Sequence, residues 1–127
     1  MMSPDEFFMA CYRVQYKEDA RISDRFGAPM NCYGFVYWFY KLCLGIELEH
    51  GEVKSFDNIQ CVTYNEVDEP QDGDVLWLRT ISGVYAVHVG IYWKGTVYHF
   101  TSQGLHCLRY ERAASIIKGI YHVVENT

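Results

Sequence analysis

The run from Cys32 to Leu44 constrains this chain more than any other segment. Asn31 in front of it is a favoured helix N-cap, and Gly45 behind it is a natural helix stop. Between them Phe35, Val36, Trp38, Phe39, Leu42 and Cys43 leave almost no polar side. A helix that is apolar nearly all round has to be covered by other elements. The fold must therefore be built around a helix over residues 32–44. Cys32 falls in its first turn, where free N–H groups and the positive end of the helix dipole favour a thiolate.

The rest of the chain supplies the cover. Ser3-Pro4-Asp5-Glu6 carries a cap, a first-turn proline and two acids, which predicts a helix over residues 4–17. Residues 17–29 are charged and loop-like, and 46–70 form a polar connection in which 58–66 reads as either helix or strand. The character changes after Pro70. Turn signals at Gln71–Asp74, Lys94-Gly95 and Gln103-Gly104 separate strands predicted at 75–79, 84–93, 96–101 and 105–109. A short helical turn at 111–116 and a last strand at 119–124 close the chain. Helices first and an antiparallel meander after them make an α+β domain, with the 32–44 helix packed on a C-terminal sheet. At 127 residues this is one domain, residues 1–127.

Charge and cysteine usage remove several function classes. The net charge is −5 and no Lys/Arg cluster occurs, which argues against nucleic acid and against attraction to anionic surfaces. No stretch of 18 apolar residues exists, so no membrane span is expected. The acidic start, Met1 to Glu6, lacks the pattern of a secretory signal, so synthesis in a cytoplasm without a cleaved leader is expected. The five cysteines, Cys11, Cys32, Cys43, Cys61 and Cys107, are odd in number and form no CxxC pair. Reduced thiols are expected, at least four of them as small core residues. A metal site at Cys32, His88 and His99 would lack a local chelating pair, and none is expected.

A cysteine hydrolase needs a thiol, an imidazole to take its proton, and a polar group to hold that imidazole. The sheet half offers His88 and His99 on neighbouring strands. If Lys94-Gly95 is the turn, Trp93 opposes Thr96 and paired numbers sum to 189, so His99 opposes Gly90. His88 and Gly90 share a face, so His88 and His99 lie one diagonal step apart on the same side. Cys32 would then be the nucleophile, His88 the general base and acid, and His99 the orienting group, once the helix start abuts that face. His106 competes with His99 for the orienting place. The Cys32 N–H is a candidate oxyanion donor. His50 and His122 read as surface or structural residues.

Four pieces in order carry a family resemblance: Asn31-Cys32-Tyr33-Gly34-Phe35-Val36, Asp72-Gly73-Asp74-Val75, His88-Val89-Gly90-Ile91-Tyr92 and Tyr98-His99-Phe100. Together they resemble the NlpC family of papain-like cysteine peptidases over roughly residues 20–125. The resemblance implies a papain-like fold and a Cys32–His88–His99 triad that needs no cofactor. It implies a substrate in the peptide stems of bacterial peptidoglycan, met near Asn31 and Tyr33. Within the family the chain is most similar to compact phage tail domains, through its Cys32-Tyr33-Gly34 start and Leu44-Gly45-Ile46-Glu47-Leu48. That implies a virion tail location, with tail-tip proteins as possible partners. Alternatives on the same scaffold are a tail-tip assembly component with a vestigial site, or a toxin-type amidase or deamidase.

Two departures from the family pattern stand out. Asn31 occupies a position where the family usually has Asp, which removes a negative charge beside the thiol. The aromatic and glycine segment upstream is shortened to Phe26-Gly27-Ala28-Pro29-Met30, which bears on the wall of the cleft.

Overall fold

A computed structural model describes residues 1–48, 62–79 and 88–125. The strand expected at 84–93 is seen from His88 onward, and the 58–66 segment from Val62 onward; their earlier parts, with His50 and Cys61, lie outside the described residues.

Helix α1 runs Pro4–Cys11 and begins with a capping box: Glu6 N–H donates to Ser3 Oγ at 3.2 Å and Ser3 N–H to Glu6 Oε1 at 3.3 Å. It stops well short of residue 17. The chain beyond it is taken by long-range pairing instead: Met30 N–H donates to the Gln15 carbonyl at 3.0 Å and Lys17 N–H to the Met30 carbonyl at 2.9 Å. That pairing fixes the approach to Cys32.

Helix α2, Cys32–Phe39, is capped by Asn31 and buried from Tyr33 to Phe39. The last turn, Tyr40–Leu44, widens into a π-helix and ends at Gly45 in the left-handed region, φ 69°. Tyr40 is buried there, and its hydroxyl donates to the Gly73 carbonyl, tying the helix end to the sheet.

Strands β1 Val62–Glu66, β2 Val75–Leu78, β3 His88–Trp93, β4 Thr96–Thr101, β5 Gly104–Arg109 and β6 Ile117–Glu125 form one antiparallel sheet in the order β1-β6-β2-β3-β4-β5. A meander describes only β2 to β5. The last strand returns to pair with both β2 and β1, a non-local contact that no turn signal announces. Lys94 and Gly95 both have positive φ, 47° and 82°, the backbone of a type I′ hairpin turn, and Gly90 opposes His99 as expected. The next turn is Ser102-Gln103 rather than Gln103-Gly104, which sets His106 opposite His99.

Both sheet faces are covered. On one, α1 and α2 pack Phe7, Phe35, Val36 and Phe39 against Val75, Val89, Ile91 and Phe100. The rings of Phe8 and Tyr98 stack there with centroids 3.8 Å apart. On the other, Leu76, Leu78, Val97 and Ile120 meet Ala113 of α3, Tyr110–Ala113. Cys11 and Cys43 are buried in the first core, but Cys107 is exposed, because its place on β5 lies at the sheet edge. No helix of the described residues is long and apolar enough to cross a membrane.

Gly90 lies where β3 and β4 carry the two histidines. A Cβ there would stand 2.7 Å from the Tyr98 carbonyl oxygen and 3.2 Å from both the His99 Cβ and the Leu78 Cδ1. Backbone cannot yield as a side-chain tip does. Gly90→Ala is expected to cost about 2 kcal/mol by overpacking and to push β4 away from β3. Urea unfolding reads the loss; an unchanged midpoint would show that the strands part freely.

Candidate active site

Asn31 builds the start of α2 and the loop before it at once. Its Oδ1 accepts from Gly34 N–H at 2.9 Å, while its Nδ2 donates to the carbonyls of Glu18 at 3.1 Å and Ala20 at 3.2 Å. An Asp could keep the cap but could donate to neither carbonyl. Asn31 is thus the residue that ties the 18–20 loop beside the thiol. Tyr33 is buried at 7 % exposure. Asn31→Ala and Asn31→Asp are each expected to lower stability by about 1–2 kcal/mol, through the lost loop bonds and, in the Ala variant, the lost cap. Wild-type stability in the Asp variant would show that the loop bonds contribute nothing.

Cys32 is half-buried beside β3. Burial pushes its thiol above the usual 9.0; the amides of Val89, Tyr33 and Cys32 itself pull the other way, and the Glu18 carboxylate adds to the rise. Desolvation therefore outweighs the helix end, contrary to the expectation of a favoured thiolate. The thiol meets β3 through the Val89 amide, one residue from His88.

The histidines lie together. His88 Nε2 is 2.8 Å from His99 Nδ1, with ring centroids 5.0 Å apart at 75°. Hairpin parity places them so. Strand alternation also sets His88, His99 and His106 on the face opposite the one that α2 covers, since Val89, Ile91 and Phe100 point to the helices. The sequence suggests that the helix start abuts the histidine face; instead it packs on the other face and meets β3 at the Val89 amide, next to His88. The β3–β4 register runs only from Gly90↔His99 to Trp93↔Thr96, so the two strands are unpaired beside His88.

Burial lowers the His88 pKa below the usual 6.5. His99 falls to about 4, through burial first and then its neighbours His88 and His106. Both rings are neutral at pH 7, and so is the thiol. His88 meets His99 through Nε2, which leaves its Nδ1 not engaged by His99. Among the described residues no cluster of three or more His, Cys, Asp or Glu side chains is arranged to hold a metal ion.

The Asp72-Gly73-Asp74 turn holds the hairpin that carries the histidines. Asp72 Oδ1 accepts from Lys94 N–H at 2.7 Å, Gly73 N–H donates to the Tyr92 carbonyl at 2.7 Å, and Tyr92 N–H donates to the Asp74 carbonyl at 3.0 Å. The Asp74 side chain, 1 % exposed, accepts from Gln71 N–H at 2.8 Å and meets His122 Nδ1 at 2.7 Å. His122 thus has a structural partner on β2's approach, apart from the His88–His99–His106 contacts. Residue type alone does not disclose this pair, because β6 reaches β2 only through the non-local strand order.

No curated protein sequence matches the chain. The model of the NlpC/P60 family matches residues 15–121, a span that contains the Cys32 helix, the Asp72–Asp74 turn and the histidine hairpin. With the α+β fold and that match over most of its length, the chain belongs to the NlpC/P60 family, whose members are typically peptidoglycan-hydrolysing cysteine peptidases or amidases.

Proposed function

We propose that this protein is a cysteine endopeptidase or amidase that cuts peptide bonds in the stem peptides of bacterial peptidoglycan. The observation that carries the reading is the His88–His99 contact of 2.8 Å, with His88 next to the Val89 amide that faces the Cys32 sulfur. Family membership supplies the substrate class.

Neutral His88 takes the Cys32 proton at Nδ1 as the sulfur attacks the amide carbon. His99 holds the ring through Nε2. The tetrahedral oxyanion is met by a backbone N–H at the helix start, with the Cys32 amide as the candidate donor. Protonated His88 then gives its proton to the leaving amine. A water, deprotonated by His88, cleaves the thioester and restores the thiol. The acyl group leaves as the carboxylic acid product, and the thiol and neutral imidazole are restored, so no cofactor enters the cycle.

The net charge of −5 gives little affinity for an anionic wall, which favours delivery by a carrier. The tail-domain likeness around Leu44–Leu48 supports a phage tail as that carrier, with tail-tip proteins as partners and action at the bacterial wall. Digestion of purified wall with wild type and Cys32→Ala, followed by mass spectrometry of the soluble products, tests the reading. New amine termini that require Cys32 support it. Identical product spectra would leave an assembly role for the fold, and release of ammonia without chain cleavage would make it a deamidase.

A further inference from the structure

The contacts do not stop at His99. His106, directly opposite it in the β4–β5 register, has its Nδ1 3.1 Å from His99 Nε2, with ring centroids 5.0 Å apart at 76°. The His88–His99 link has the same centroid distance and an interplanar angle of 75°. Each link joins the Nε2 of one ring to the Nδ1 of the next. Two links of the same sense make a directed chain, and His106 at its end is exposed to solvent.

Direction matters because a neutral imidazole has one N–H and one bare nitrogen. For His88 to accept a thiol proton at Nδ1, its own proton must sit on Nε2 and point at His99. His99 must then accept at Nδ1, carry its proton on Nε2, and donate to His106 Nδ1. Reversed, the chain puts a proton on His88 Nδ1, which then cannot act as the base. His99 alone is free to take either tautomer.

We propose that His106 is a positioning residue: by accepting at Nδ1 from His99, it fixes the tautomer of His99 and through it that of His88. An exposed neutral histidine prefers its proton on Nε2, which biases the end of the chain in the productive sense. When His88 becomes cationic during the reaction its Nε2–H becomes a stronger donor, and the two further rings polarise in the same direction. No proton crosses either link, so the chain is unchanged after each turnover.

The proposal deepens the catalytic reading and rests on it, but its tautomer claim can be read without activity. Long-range 1H–15N spectra of the whole chain, labelled at histidine and held at pH 7.5, are expected to show bare Nδ1 and protonated Nε2 for both His88 and His99. In His106→Leu the His99 signals should move toward a tautomer mixture. Turnover should fall about tenfold with KM within twofold, a fraction of the ~10^4-fold loss that a fully wrong tautomer causes in a hydrolase triad. His106→Asn restores an acceptor and should recover both readouts. Wild-type spectra with the His99 proton on Nδ1 would overturn the proposal. So would unchanged spectra and turnover in His106→Leu. If the wild type cuts no wall peptide, the catalytic reading fails while the spectra still decide the tautomer.

Discussion

Replacing Cys32 with alanine is expected to reduce wall-peptide hydrolysis by about 10^4-fold or more, since a nucleophile acts as a unit with its base. The variant removes one atom from a half-buried site, so its melting temperature should stay close to wild type. Cys32→Ser should be almost as inactive. Its hydroxyl is a far weaker acid than the thiol, and burial lowers the basicity of His88 further. Soluble muropeptide release, normalised to folded protein by circular dichroism, checks both. Activity within tenfold of wild type in either variant would remove Cys32 from the chemistry.

The second large effect concerns His88. His88→Ala is expected to lower kcat by about 10^3-fold, the middle of the range for a positioned general base. The wild-type pH profile carries the sign of its environment. His88 is depressed below 6.5, so the base is neutral and ready from slightly acid pH upward, and activity falls as pH drops through that lowered value. On the alkaline side, the thiol is raised above 9.0. A neutral thiol and a neutral base therefore persist across the range, and kcat/KM should stay flat to at least pH 9. A stable thiolate–imidazolium pair would instead lose activity as the imidazolium deprotonates. An alkaline limb centred between pH 7 and 8 would contradict a neutral resting thiol and imidazole.

Local features of the fold were readable in the sequence where local chemistry sets them. The Asn31 cap, the Gly45 stop and the Lys94-Gly95 turn each depend on neighbours only a few residues away, and all three stand where expected. The His88–His99 contact followed from the same turn through strand alternation. Features set by distant partners were not readable. Helix α1 stops at Cys11 because residues 15–17 pair with Met30, an interaction across a loop. β6 joins two strands far from it in sequence, and Asp74 gains His122 only through that return.

Two site features were missed for narrower reasons. Placing the second turn at Gln103-Gly104 hides the partner of His99. Placing it at Ser102-Gln103 makes paired numbers sum to 205 and sets His106 opposite. The helix dipole at Cys32 gives the sign of one effect, whereas the final thiol pKa depends on how deeply the packed chain buries the sulfur. Asn31 shows the same limit. Its cap is legible, but its two bonds to the Glu18 and Ala20 carbonyls are a property of the folded loop.

If the proposed chemistry holds, Cys32 becomes acylated by a wall peptide. Mixing the protein with purified stem peptides, quenching in acid within the first turnover and digesting for mass spectrometry tests it directly. The expected result is one added acyl mass on the peptide that contains Cys32, as a thioester that hydroxylamine removes, and none on that peptide in Cys32→Ala. Products released with Cys32 unmodified at every quench time, or the acyl mass found on another residue, would contradict it.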